Sequence, residues 1–395
     1  MYSVYQHWDP LETCIVGRSY PPEFYSWITD PSARSAMEKV AIETEEDFQA
    51  LIKILESFNV KVLRPNIPDD LSLVYNPYDK RYVPPPMTPR DYFGSYGNTL
   101  MYDKWDFINS LYRVVRDPSW IESNEIITAE DLNKLPAHIL KELHDNFNLD
   151  AHLWYDKFDL FWKDLFPVFE QNANVKQHVY SPHLAKDGET AHFTTAGVSR
   201  VGKDLFYGYR NPNKTAITEY YEKYIGDNYR LNFVDIAGHI DGQFCPVVPG
   251  LIIDTPYVDV QKYFPGWEVV HSPKESWDDM LPFMNLKKQN KGKWWIPGEE
   301  NNNSLTNTVE SWLSHWVGYV EETIFDVNMI VIDEQNVIVS NYNDVIFEAF
   351  KRYNITPHIC NFRHRYFWDG GLHCMTSDLS RRGEMVDYFS DKAEH

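Results

Sequence analysis

Residues 328–360 read NMIVIDEQNVIVSNYNDVIFEAFKRYNITPHIC, and their patterning decides the fold. Asn328 to Ile332 is an apolar, β-branched run that predicts a strand. Asp333-Glu334-Gln335-Asn336 supplies the polar residues of a tight turn, and Val337 to Ser340 predicts a second strand. Asp344 to Arg352 has helical spacing of its apolar residues, and Thr356 to Cys360 predicts a third strand. The unit is therefore strand, turn, strand, helix, strand.

The same order recurs upstream. From Val198 a hairpin turns at Gly202-Lys203-Asp204, a helix is expected near Thr215 to Ile225, and a strand over Leu231 to Asp235. From Phe244 a hairpin turns at Pro249-Gly250, with a short helix near Val258 to Tyr263 and a strand from Trp267 to Val270. The N-terminal part fits more loosely: a strand over Thr13 to Val16, a helix near Ala36 to Phe58, a strand from Val60 to Leu63. Repeated ββαβ modules point to units arranged around a common centre rather than one doubly wound sheet. Residues 104–190, polar and mainly helical in pattern, and the polar stretch 285–308 interrupt the repeat without the composition of separate domains. The expectation is one domain over 1–395 with an insertion around 104–190.

The chain has 395 residues, 43% of them hydrophobic and 15% aromatic, ample for a large core. Its net charge of -21 repels nucleic acid and anionic membranes and favours cationic small molecules as partners. Four widely spaced cysteines, Cys14, Cys245, Cys360 and Cys374, form no CxxC pair, which argues against a zinc ribbon or a disulfide framework. No basic and apolar leader opens the sequence and no apolar run reaches membrane-spanning length, so a reducing cytoplasmic setting is expected.

Chemistry concentrates in the loops that follow the last strand of a unit. Asp369-Gly370-Gly371-Leu372-His373-Cys374 places a thiol at a glycine turn, where φ > 0 and close approach are available and a thiolate can act as nucleophile. Gly238-His239-Ile240-Asp241-Gly242 is strand-like, which sets His239 and Asp241 on one face. The pair suits a general base with a cation-binding partner, two metal ligands, or a plain surface turn. Pro89-Arg90-Asp91 holds a carboxylate after a proline, or forms an ordinary turn with an Arg–Asp pair. Together these residues offer a thiol, an imidazole and two carboxylates, with no phosphate loop and no dinucleotide motif. Carboxylates grip a planar guanidinium, and a thiolate can then attack its carbon.

This set, in this order, resembles the amidinotransferases of the glycine and inosamine-phosphate amidinotransferase type, within the guanidino-group-modifying (pentein) superfamily. The likeness runs from Trp8-Asp9-Pro10-Leu11-Glu12 and Ile15-Val16-Gly17-Arg18 through Pro89-Arg90-Asp91, Arg200-Val201-Gly202-Lys203-Asp204 and His239-Ile240-Asp241. It ends at Gly370-Gly371-Leu372-His373-Cys374 and Asp378 with Arg381-Arg382-Gly383. The resemblance implies a five-bladed, pseudosymmetric α/β propeller of ββαβ modules around a central site. It implies Cys374 as nucleophile and His239 as general acid and base, with Asp91 and Asp241 holding the guanidinium. The implied donor is L-arginine, leaving as ornithine, and an amine accepts the amidino group. No metal or organic cofactor is implied, and a homodimer is the family expectation.

Three departures stand out. Thr194 occupies the place of a family acid, with Asp187 or Glu189 as substitutes. Val258 stands where glycine amidinotransferase has the arginine that binds the donor carboxylate. Glu321-Glu322 replace a serine pair and suit a cationic acceptor or a solvated helix end. Alternatives are a hydrolase of the same fold that ends the reaction with water, a propeller that only binds a guanidino ligand, and, more distantly, a zinc hydrolase built on His239, Asp241, His373 and Cys374.

Overall fold

The C-terminal module shows how the sequence builds its unit. In the computed structural model, which describes residues 1–76, 81–102, 134–147, 159–177, 195–208, 214–236, 239–272, 294–314, 316–317 and 326–390, strand Ile330–Asp333 pairs antiparallel with Asn336–Val339. Helix Asp344–Arg352 then leads to Thr356–Ile359, which runs parallel to the second strand. Asn343 caps the helix by accepting the Ile346 N–H, and Lys351 and Arg352 complement the dipole in its last turn. Asn354, with φ of 56°, turns the chain into the third strand.

Alternation along these strands has a packing consequence. Ile330, Ile332 and Ile338 face one apolar cluster, shared with the N-terminal helix, while Val331, Val337 and Val339 face another, shared with the 244–271 module. Both faces of the sheet are buried between neighbours, so the strands read as continuous apolar runs. Each such side chain contributes about 1.5–3 kcal/mol on burial.

Five three-stranded sheets of this kind are present among the described residues. Two more match the predicted units: Val198–Val201, Asp204–Gly208 and Arg230–Val234 with helix Lys214–Ile225, and Phe244–Val248, Leu251–Asp254 and Glu268–His271. In the latter the expected helix shrinks to the single turn Gln261–Tyr263.

The N-terminal unit fits loosely in sequence because its first strand comes from the other end of the chain. Thr376–Arg381 pairs antiparallel with Leu11–Val16, which runs parallel to Lys61–Leu63. Helix Pro31–Ser57 connects the latter two and starts earlier than the apolar pattern indicates, because Asp30 caps it and Pro31 suits its first turn. The fifth sheet is Phe93–Tyr96, Thr99–Tyr102 and Asn174–Gln177. Its third strand lies inside the stretch read as insertion, since the four residues Asn-Val-Lys-Gln carry no β signature. Helices Ala137–Phe147, Asp159–Trp162 and Phe166–Asn172 are the described parts of that crossover. Within 285–308 the polar sequence also yields structure: Asn302 caps helix Asn303–Thr308.

In every module the first strand is buried and the third is at least partly exposed, as in Thr376–Arg381 against Lys61–Leu63 and Phe244–Val248 against Glu268–His271. First strands therefore line the centre of a pseudosymmetric five-module α/β propeller and third strands its rim. No described helix is long and apolar enough to cross a membrane.

Candidate active site

The inner strands open toward one cluster of polar side chains. Asp91 ends the 3-10 turn Pro89–Asp91 just before strand Phe93–Tyr96. Asp241 lies in the turn Ile240–Gly242 before Phe244–Val248. Asn328 precedes Ile330–Asp333, and Cys374 precedes Thr376–Arg381. Each stands in the loop that enters a module, so the propeller delivers four chain segments to one place.

His239 and Asp241 lie on a tight turn, not on a strand, and their side chains diverge. His239, one-third exposed, places Nδ1 3.7 Å from Asp91 Oδ1. Asp241 is buried, and its Oδ2 accepts from His373 Nδ1 at 2.7 Å and from the Cys374 thiol at 3.5 Å. Arg90 does not pair with its neighbour Asp91. Its Nε donates to the His373 carbonyl at 3.0 Å and its terminal nitrogen to Asp378 Oδ1 at 3.0 Å.

The glycines before Cys374 serve close approach. The left-handed residue of this turn is Asp369, with φ of 51°. A Cβ on Gly371 would meet Asn328 Oδ1 at 2.5 Å, and one on Gly370 would meet Met375 at 2.9 Å. Asn328 uses the space: its Oδ1 accepts from the backbone N–H of His373 at 2.8 Å and of Cys374 at 3.2 Å, and its Nδ2 donates to Cys374 Sγ at 3.0 Å.

The electrostatics divide the two acids. Burial pushes the Asp91 carboxyl up, further aided by the charge of Asp241 and opposed by His239. Burial acts the same way on Asp241, but the His373 hydrogen bond and nearby positive charge overcome it and hold that carboxyl below its usual value. Burial first, then Arg90, lowers His373 to about 4 against the pull of Asp241. A neutral His373 beside an ionised Asp241 must carry its proton on Nδ1. Asp91 Oδ1 and Asp241 Oδ1 are buried oxygens with no hydrogen-bond partner among the described residues. Such atoms are costly unless a ligand satisfies them, and two carboxylates close enough to feel each other's charge suit a planar cation with several N–H donors.

Beneath the cluster, Asp378 gathers three arginines. Arg200 donates to both its oxygens at 2.7 and 2.8 Å, Arg381 Nε at 2.6 Å, and Arg90 as above. Burial favours the neutral acid, yet Arg200, Arg381 and Arg90 together hold Asp378 well below the carboxylate range. Through Arg90 this hub reaches the carbonyl of His373 and so fixes the loop carrying Cys374.

Thr194, Glu321 and Glu322 lie outside the described residues, as do Asp187 and Glu189. Val258 is buried in the apolar cluster with Val260 and Phe264. Sequence reasoning missed the roles of Asn328, His373, Arg90 and Asp378. The position of Asn328, at the entry to an inner strand like Asp91 and Cys374, is the signal that finds it. Among the described residues no group of three His, Cys, Asp or Glu side chains has the geometry to hold a metal ion.

Comparison with known proteins agrees with this architecture. No family model matches the chain. It is 25% identical over 203 residues to L-arginine:L-lysine amidinotransferase of Pseudomonas savastanoi pv. phaseolicola, covering 50% of this chain and 46% of that one. It is 24% identical to mitochondrial glycine amidinotransferase of Gallus gallus, covering 98% of this chain and 84% of that one. Two solved structures share the fold over 98% of this chain and 99% of theirs. They are the amidinotransferase of the saxitoxin biosynthetic pathway from Microseira wollei (19% identity, TM-score 0.58) and inosamine-phosphate amidinotransferase from Streptomyces griseus (18% identity, TM-score 0.59). The resemblance carried by the motifs thus holds: the relatives are transferases of amidino groups, and the fold is shared with the two solved amidinotransferases.

Proposed function

We propose that this chain transfers the amidino group of L-arginine to a small amine through a covalent amidino-Cys374. The observation that carries the reading is a thiol hydrogen-bonded to Asp241, with one buried oxygen each of Asp91 and Asp241 lacking a hydrogen-bond partner among the described residues. The two acids hold the guanidinium and fix its carbon near Cys374 Sγ. Starting from a Cys374 thiolate and a protonated His239, the sulfur forms the S–C bond, the guanidinium passes through a tetrahedral intermediate, and the C–N bond to the donor's side chain breaks. His239, oriented by Asp91, gives a proton to the departing amine, and ornithine leaves. An acceptor amine enters, loses a proton to His239, attacks the amidino carbon and releases the Cys374 thiolate. His373, held neutral, orients Asp241 through their 2.7 Å hydrogen bond.

Glycine and L-lysine, the substrates named for the relatives, are the first acceptors to test, with diamines next because of the acidic character of the chain. A reducing compartment keeps Cys374 in its reduced form, and the reaction is proposed to run in the cytoplasm. The test is incubation with L-arginine and a panel of amines, with products separated by mass spectrometry. Ornithine and a guanidino product support transfer. Citrulline or ammonia, independent of added amine, would assign the chain to the hydrolases instead.

A further inference from the structure

We propose that Asn328 is the positioning residue of the nucleophile: its single side chain fixes the backbone of His373 and Cys374 and turns an N–H donor onto the sulfur to stabilise the thiolate. The proposal rests on the reading of Cys374 as nucleophile and assigns that site a component outside the motifs.

The geometry leaves the amide one orientation. Two backbone N–H groups, of His373 and Cys374, converge on the same end of the side chain at 2.8 and 3.2 Å, so that end must be the oxygen. The NH2 end then faces Cys374 Sγ at 3.0 Å and leans toward the Asp241 carbonyl at 3.3 Å. Asn328 is 1% exposed, so these bonds do not compete with water. Its segment is anchored as well. Two positions earlier, Asp326 accepts from Ser272 Oγ at 3.2 Å and from Asn343 Nδ2 at 3.0 Å. The approach exists only because residue 371 has no Cβ.

Sγ thus lies between two groups of opposite preference. As a thiol it donates to Asp241 Oδ2 at 3.5 Å. As a thiolate it is repelled by that carboxylate and accepts from Asn328 Nδ2, a charge-assisted bond stronger than its neutral counterpart. Asn328 therefore offsets the cost of holding a nucleophilic sulfur beside the acid that binds the substrate.

The experiment is the pH profile of Cys374 alkylation by iodoacetamide, followed by intact-protein mass, in wild type, Asn328→Ser and Asn328→Asp, with Cys374→Ala as reference. Burial pushes the thiols of Cys14, Cys245 and Cys360 up to about 12, so labelling below pH 9 reports Cys374. Asn328→Ser removes the donor to sulfur without adding charge. Asn328→Asp keeps an oxygen for the two backbone N–H groups. The expected result is an upward shift of the thiol titration by at least about one unit in both, hence about tenfold slower labelling at neutral pH. A wild-type profile in Asn328→Ser would overturn the proposal, as would an unchanged profile in Asn328→Asp should the serine variant not fold. The outcome is independent of the transfer reaction: absence of an amidino adduct in wild type would remove the proposed function and leave the thiol titration to decide the role of Asn328.

Discussion

Asp241 and His373, 132 positions apart in sequence, share a buried 2.7 Å hydrogen bond, and its proton sits on the histidine. This arrangement leaves the carboxylate charged, and its second oxygen has no hydrogen-bond partner among the described residues. Replacing Asp241 by Asn keeps an acceptor for His373 but removes the charge. A hydrogen bond to a charged group is worth about 1.5–3 kcal/mol, so kcat/KM for the guanidino donor should fall about 10- to 100-fold or more, with circular dichroism unchanged. Steady-state kinetics on the Asp241→Asn variant checks this.

Asp91 imposes a pH dependence on donor binding. Its carboxyl is held above the ordinary value by burial, and only the ionised form grips a guanidinium. KM for the donor should therefore rise as pH falls through this raised value, at a higher pH than an ordinary aspartate would give. Asp91→Asn should raise KM at neutral pH and flatten the profile. An unchanged profile in the variant would assign the titration to another group.

The Asp378 hub predicts a large stability effect. Asp378→Asn would leave Arg90, Arg200 and Arg381 without their shared charge in the interior, and breaking such a buried pair costs about 3–5 kcal/mol. Urea unfolding of the variant measures it, and the same variant should loosen the Cys374 loop through the Arg90 bond to the His373 carbonyl.

Acid should destabilise the fold in two stages. His7 and His373 are buried and neutral, held below the ordinary imidazole value of 6.5, His373 at about 4. The unfolded chain binds their protons first, so stability falls as pH drops below 6.5, by up to about 1.4 kcal/mol per pH unit for each histidine. Asp241 and Asp378, held below 3.8, lose their contributions as pH falls further, while Asp91, raised, works in the opposite sense. Thermal unfolding between pH 7.5 and 2 follows both stages, and His7→Gln should reduce the slope of the first.

Three of the five modules are legible because their hairpins and closing strands are contiguous and strongly patterned, as in 328–360. The other two are hidden for physical reasons. One borrows Thr376–Arg381 from the far end of the chain, and one closes with Asn174–Gln177, a rim strand whose half-exposed surface asks for no apolar pattern. Cys374, Asp91, His239 and Asp241 are recognisable as chemistry-bearing residues in loops. Their environment is not: the divergence of His239 and Asp241 depends on a turn rather than a strand, and the donation from Asn328 to Cys374 depends on two modules meeting at Gly371.

The central claim is a covalent amidino-enzyme on Cys374. Intact-protein mass spectrometry after mixing with L-arginine and no acceptor, with free amino acids assayed in parallel, tests it directly. The account predicts a mass gain of one amidino group, mapped to Cys374 and absent in Cys374→Ala, with one equivalent of ornithine released. An unmodified protein with no ornithine, or ornithine released by Cys374→Ala as readily as by wild type, would contradict it.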